Sequence, residues 1–254
     1  GDGLYNPLDP QRLLDTRTLN GGHHAPLGAG ETYSLSIAGR AGVPPTGAEA
    51  VVLNVTVTNP TAWSYITAWP SGSSTPPLAS NLNFRPGQTV PNRVIVKLGP
   101  DGKVNFFNGS GSTDLVVDVG GWFTSSGPVS GGQVYTPVAP ARILDTRTAN
   151  GGHAWPLGPG ETFPLAVAGR GGAPPAGATA VVLNVTVTGP TVGGYLTVWP
   201  GGPTSPPLAS DLNFVANQTV PNLVVVKLGA DGTVNIFNGY GSTHVVVDIE
   251  GWYG

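Results

Sequence analysis

The run AVVLNVTVT stands in this sequence twice, at 50–58 and at 180–188. In the first run Val51, Leu53, Val55 and Val57 alternate strictly with Val52, Asn54, Thr56 and Thr58. Successive side chains of a strand point to opposite faces, so each run is a sheet strand with one apolar face and one face rich in amides and hydroxyls. A turn carrying Pro60 follows, and then SYITAWP, where Ile66 and Ala68 face one way and Tyr65, Thr67 and Trp69 the other. A hairpin joining the two arms would set Asn54, Thr56 and Thr58 beside Tyr65, Thr67 and Trp69 on one exposed surface.

The repetition extends well beyond that stretch. Tyr5-Asn6-Pro7 matches Tyr135-Thr136-Pro137, and the register holds without a gap to Trp122-Phe123 against Trp252-Tyr253. Asp15 pairs with Asp145, Trp69 with Trp199 and Asp118 with Asp248. Roughly two-thirds of the paired positions are identical, which marks a tandem duplication. The expected domains are 1–123 and 135–254, with 124–134 (TSSGPVSGGQV) reading as a flexible Ser/Gly linker.

Within the first copy, strands are expected near 11–17, 32–38, 49–58, 64–69, 79–84, 89–98, 103–108 and 113–123. Turn signals separate them, at Gly21-Gly22, Pro44-Pro45, Pro76-Pro77 and Asp101-Gly102, the last resembling a hairpin turn. No stretch carries a helical period. Many short alternating strands with Gly/Pro turns predict an all-β fold of two homologous, jelly-roll-like β-sandwich domains.

Composition narrows the function classes. The net charge is -3 with no Lys/Arg cluster, which argues against nucleic acid. Charged residues are 10% of the chain, against about a quarter in an average domain, so the surface is built from Gly, Pro, Ser, Thr and Asn. No run approaches the length of about 18 apolar residues that would insert in a membrane. No signal-peptide pattern opens the sequence, although a mature secreted chain would have shed it. With no Cys and no Met, disulfides, zinc–thiolate sites and thiol catalysis are excluded.

Arg12-Leu13-Leu14-Asp15-Thr16-Arg17, Gln88-Thr89-Val90-Pro91-Asn92 and Val116-Val117-Asp118 stand in both copies, with Ile143 where the first copy has Leu13 and Asn217 where it has Gly87. In these motifs the chain resembles a repeat module of secreted actinobacterial proteins, often found in tandem or attached to hydrolases. The resemblance covers nearly the whole chain outside the linker. It implies a secreted or cell-surface accessory module, binding glycan or cell wall, and supplies no catalytic residues.

Four groups of residues are candidates for chemistry. The first is the polar–aromatic face: Asn54, Thr56, Tyr65, Thr67, Trp69 and Asn83, repeated as Asn184, Thr186, Tyr195, Thr197, Trp199 and Asn213. A sugar offers an apolar CH face and a ring of hydroxyls, so aromatic rings beside neutral amides suit it. The alternative is that Tyr65 and Trp69 pack under a loop or under a second sheet, since Trp is usually largely buried.

The second group is ionic. Asp118 lies in the apolar run LVVDVGGW, where a carboxylate needs a partner. Arg12 or Arg17 is expected to hold Asp118 while Asp15 caps backbone amides, and likewise Arg142 or Arg147 with Asp248 and Asp145. The alternative is an acid/base carboxylate pair of the glycosidase kind. Third, His23 and His153 occupy the same Asn-Gly-Gly-His loop, but one shared His without Cys predicts no metal, and a bond to backbone is the plainer role. Fourth, Trp63-Ser64 against Gly193-Gly194, Ala25 against Trp155, Ser110 against Tyr240 and Asp114 against His244 are exchanges in turns and loop edges. They differ either because two sites differ or by drift.

No cofactor is expected. The function expected is a non-catalytic, lectin-like module for cell-wall or environmental glycans, with duplication adding avidity. A structural module that engages a protein partner is the alternative, and a hydrolase using Asp15, Asp118 or His23 is a third.

Overall fold

The computed structural model describes residues 3–124, 132–202 and 204–254. Sixteen strands and no helix make up the described residues. They fall into two compact units, Gly1–Gly132 and Gln133–Gly254. The expected linker lies mostly outside the described residues, but Thr124 is a buried strand residue.

The first unit holds β1 (Leu4–Asp15), β2 (Thr32–Ser36), β3 (Ala48–Thr58), β4 (Ser64–Pro70), β5 (Leu82–Phe84), β6 (Val90–Lys97), β7 (Lys103–Asn108) and β8 (Asp114–Thr124). The second holds β9 (Tyr135–Asp145), β10 (Thr162–Ala166), β11 (Ala180–Thr188), β12 (Gly194–Pro200), β13 (Leu212–Phe214), β14 (Val220–Lys227), β15 (Thr233–Asn238) and β16 (His244–Tyr253). In the first unit one antiparallel sheet has the order β1-β8-β3-β6 and the other β2-β7-β4-β5, and the second unit repeats both orders. Eight strands in two sheets with these neighbours form a jelly roll.

Alternation explains the core. Val51, Leu53, Val55 and Val57 of β3 meet Ile66 of β4, Val104 and Phe106 of β7 and Val117 and Val119 of β8 in one buried cluster. The second unit builds the same cluster from Val181, Leu183, Val185 and Val187 with Leu196, Val234 and Val247.

The topology corrects the expected hairpins. β3 pairs with β6 and β8, whereas β4 pairs with β5 and β7, so the turn at Pro60 crosses from one sheet to the other. The Asp101-Gly102 turn does the same between β6 and β7. Gly102 takes φ +71° and its amide bonds back to Gly99 O, so the dipeptide signals a tight turn but not a returning partner. The first expected strand is also displaced: β1 ends at Asp15, and Thr16 to Thr18 form a turn.

Candidate functional site

Because β3 and β4 lie in different sheets, the expected polar–aromatic face divides between the two outer surfaces of each sandwich. Asn54 and Thr56 sit on the outer face of the β1-β8-β3-β6 sheet, and Tyr65, Thr67, Trp69 and Asn83 on that of β2-β7-β4-β5. Asn54 is buried in a row that runs Arg12, Asp118, Asn54, Arg93 across four strands, flanked by long charged side chains. Thr56 is buried as well, while Asn184 and Thr186 of the second unit are half-buried.

Trp69 and Thr67 are covered by the segment between β4 and β5. The Trp69 indole donates to Ser73 O at 3.0 Å, and Thr67 Oγ1 donates to Ala79 O at 2.5 Å. Asn81 Oδ1 ties the far end of the segment by accepting the Ala68 amide at 2.7 Å. In the second unit Trp199 donates to Thr204 Oγ1 at 2.9 Å and Thr197 to Ala209 O at 2.6 Å, and both side chains are buried. These four residues pack under a loop and present no surface to a ligand.

A smaller patch stays open on the same outer face. Tyr65 is 39% exposed and stands across from the exposed Asn83 of β5. Its ring lies 6.0 Å from that of Phe107 on β7, which is flanked in its row by Thr32 and Thr67. No charged side chain stands in these rows. Gly109 explains how the Tyr65 ring comes to lie against the next turn, because a Cβ there would come within 2.6 Å of Tyr65 Cε1. The second unit repeats the patch with Tyr195, Asn213 and Phe237, whose rings are 6.1 Å apart, and Gly239 has the same role. Phe107 and Phe237 were not singled out from sequence, although each is the outward aromatic of an alternating strand.

One end of each unit collects the connections β1–β2, β3–β4, β5–β6 and β7–β8, and all four groups of exchanged residues lie there. Ser64 Oγ donates to Asn108 Oδ1 at 2.8 Å and accepts the Ser110 amide at 2.8 Å, joining the β3–β4 and β7–β8 connections. The Asn108 amide nitrogen donates to Leu27 O, Gly28 O and Gly111 O, so this one side chain fastens two segments. Asn238 does the same with Leu157, Gly158 and Gly241. Trp63, at 73% exposure, projects beside this end in the first unit, and Tyr240, at 61%, in the second. Tyr240 meets Tyr195 edge-on, with ring centroids 5.8 Å apart and planes at 78°.

The four carboxylates of the expected ion pairs, Asp15, Asp118, Asp145 and Asp248, are held by arginine. A bulge in β1 at Leu13 buries both Leu13 and Leu14 and puts Arg12 and Asp15, three residues apart, on one face. Arg12 grips Asp118 with Nε to Oδ1 at 2.7 Å and Nη2 to Oδ2 at 3.1 Å, a two-bond fork. Arg17 forms its fork with Asp15, at 2.8 and 2.7 Å, and Asp15 also accepts the Arg17 amide. Arg142 with Asp248 and Arg147 with Asp145 repeat both forks. Burial pushes the Asp15 carboxyl up, but the bonds and charge of Arg17, aided by Arg12, outweigh it and hold it below the usual range. The hydrogen bond from Arg147 holds Asp145 at about 2.

His23 and His153 face carboxylates rather than backbone. His23 Nε2 is 3.4 Å from Glu31 Oε1, and His153 Nε2 is 3.5 Å from Glu161 Oε1. The other oxygen of each Glu accepts the amide of Gly28 or Gly158. His23 packs on Tyr33, and His153 lies 4.8 Å from both Phe163 and Trp155. Among the described residues no group of three or more His, Cys, Asp or Glu has the arrangement of a metal site.

Comparison with known proteins finds no matching family model and no matching curated protein. Among solved structures, the chain is similar to the N-terminal CBM22-1–CBM22-2 tandem domain of Xyn10C from Paenibacillus barcinonensis, at 11% identity over 96% of this chain and 98% of that one, with a TM-score of 0.25. It is also similar to an IolB-like protein from Salmonella typhimurium, at 12% identity over 97% and 91%, with a TM-score of 0.24. Likenesses of this size do not establish a shared fold.

Proposed function

We propose that the chain is a non-catalytic, lectin-like protein whose two units each bind neutral glycan of a cell wall or environmental polysaccharide. The observation that carries this reading is the duplicated polar–aromatic patch of Tyr65, Phe107 and Asn83, open at Tyr65 and Asn83, and of Tyr195, Phe237 and Asn213, which are half-buried. Ring faces suit the CH faces of sugars, amides suit hydroxyls, and the lack of charge in these rows suits a neutral ligand. Two such sites on one chain add avidity toward a repeating polymer. The engagement of Asp15, Asp118, Asp145 and Asp248 by guanidinium forks supports a structural use of these carboxylates over acid/base work. The resemblance to modules of secreted actinobacterial proteins supports a place outside the cell or on its surface.

A glycan array that includes cell-wall polysaccharides tests the reading, with the parent chain compared to a Tyr65→Ala/Tyr195→Ala variant whose fold is checked by thermal unfolding. Binding that disappears in the folded variant is the expected result. Binding that persists moves the site elsewhere, and no binding to any glycan sinks the reading.

A second reading has one observation of its own. Leu78 and Leu208, at matching places in the two Pro-Pro-Leu-Ala-Ser segments, are among the most exposed apolar side chains of the chain. Paired apolar tips of this kind suit a protein partner, and a Leu78→Ser/Leu208→Ser variant would then lose a complex while keeping glycan binding.

A further inference from the structure

The two units differ in how one buried acceptor is met. In the first, the Ser64 hydroxyl bridges Asn108 Oδ1 and the Ser110 amide, each at 2.8 Å. In the second, Gly194 replaces Ser64 and Tyr240 replaces Ser110, yet the asparagine is kept. Asn238 is fully buried, and its Oδ1 has no hydrogen-bond partner among the described residues. A buried acceptor left without a donor is costly to the fold. The amide of Tyr240 likewise lacks the hydroxyl that its counterpart Ser110 meets. The equivalent acceptor and donor of the first unit converge on the Ser64 hydroxyl, and in the second unit no side chain stands at that position.

The surroundings of that point are those of a sugar subsite. Gly193 is exposed and Gly194 half-exposed, so the approach is lined by backbone without side chains. A Cβ on Gly194 would lie 3.0 Å from Phe214 Cε2 and 3.2 Å from Tyr240 O, closer than ordinary contact, so these neighbours must shift by a few tenths of an ångström before a small group enters beside Gly194. Tyr195 and Tyr240, at 78° to each other, form two walls beside it. In the first unit Ser64 fills the slot and Ser110 supplies no wall.

We propose that the second unit carries, between Tyr195, Tyr240 and the Gly193-Gly194 backbone, a subsite for a single neutral sugar ring that the first unit lacks. One ring hydroxyl donates to Asn238 Oδ1 and accepts from the Tyr240 amide, while the CH face of the ring lies in the tyrosine corner. This rests on the glycan reading above and deepens it, because it makes the two units unequal. The first presents an open strip along Tyr65 and Phe107, and the second adds a corner closed on two sides.

The test titrates the intact chain with glucose, galactose, mannose and N-acetylglucosamine by calorimetry and saturation-transfer NMR. The variants are Gly194→Ser and Tyr240→Ser, each installing the first unit's residue, and the reciprocal Ser64→Gly/Ser110→Tyr. At least one sugar is expected to bind the parent chain at a stoichiometry of one, and each second-unit variant to weaken it by about tenfold. The reciprocal double variant is expected to raise the stoichiometry to two. Thermal unfolding confirms that each variant is folded, and Tyr240→Ser, at an exposed position, keeps the test sound should Gly194→Ser fail to fold. Sugar binding unmoved by both second-unit variants overturns the proposal. Absence of monosaccharide binding in a chain that still binds polysaccharide overturns it while leaving the glycan reading intact. Absence of both overturns the two together.

Discussion

The loop ends of the two units show exchanges of two kinds. In the first unit Thr16 Oγ1 donates to Asp114 Oδ1 at 2.9 Å, and Asn59 Nδ2 donates to Asp114 Oδ2 at 3.0 Å. In the second, Thr146 Oγ1 meets His244 Nδ1 at 2.9 Å, and Gly189 stands where Asn59 was. Both Asn59 and Gly189 hold a left-handed backbone, at φ 54° and 61°. Asn tolerates that conformation and here gains a bond to Asp114; once the acceptor becomes a His, Gly fills the position without a side chain to satisfy. That exchange is matched on both sides. The exchange of Ser64 for Gly194 is not, since Asn238 keeps its acceptor and loses the donor. The proposed sugar subsite rests on this unmatched replacement.

The sharpest break of the shared frame comes from its arginine forks. Arg12→Ala strips Asp118 and Asp15 of a guanidinium where the Arg12 side chain is only 10% exposed, and is expected to cost the first unit about 3–5 kcal/mol. Arg142→Ala removes the same fork at 46% exposure, and is expected to cost about 1 kcal/mol or less. Hydrogen exchange of β8 and β16 amides reads the two units separately, and equal losses would contradict the contrast.

Ser64→Gly is the next largest. It leaves Asn108 Oδ1 as bare as Asn238 Oδ1 and is expected to destabilise the first unit by about 1–3 kcal/mol in urea unfolding. A neutral result would mean that the orphaned acceptor costs nothing in either unit. Smaller again is the coupling of Asn59 with Asp114. A double-mutant cycle of Asn59→Gly and Asp114→His is expected to show about 0.5–1 kcal/mol of interaction, and additive losses would break the account of matched exchange.

The last break is in the acid limb. Asp145 is held at about 2 against an ordinary 3.8, so its contribution is fully present above the ordinary value and is lost as pH falls through about 2. Asp145→Asn should therefore flatten the fall in stability between pH 4 and pH 2. An unchanged slope there would remove the Arg147 fork from the acid response.

Much of this architecture could be read from residues. The strands follow from alternation, and Arg12, Asp15, Arg17 and Asp118 from the need to neutralise carboxylates in apolar runs. Pairing could not be read the same way. Asp101-Gly102 and Pro60 mark turns, but a turn residue reports local φ and not which strand lies beside the next one. The burial of Thr67 and Trp69 was hidden for a related reason, because the covering segment from Ser71 to Asn81 has no periodicity and bonds mostly through its backbone carbonyls. The bareness of Asn238 is visible only in three dimensions, although the Ser64-to-Gly194 exchange that causes it stands in the sequence.

The place of β8 between β1 and β3 sets the order in which each unit can be completed. It is the last strand of its unit to leave the ribosome, and it must insert at the centre of a sheet whose first strand emerged about a hundred residues earlier, several seconds before at usual rates of synthesis. Until then β1 and one side of β3 wait as open edges, with apolar Leu13, Leu14, Val55 and Val57 uncovered. A nascent unit is therefore at its stickiest just before it is finished. A second copy that follows on the same chain opens its own unpaired β9 edge soon after the first has closed, so synthesis separates in time two units whose near-identical strands would otherwise compete for the same partners.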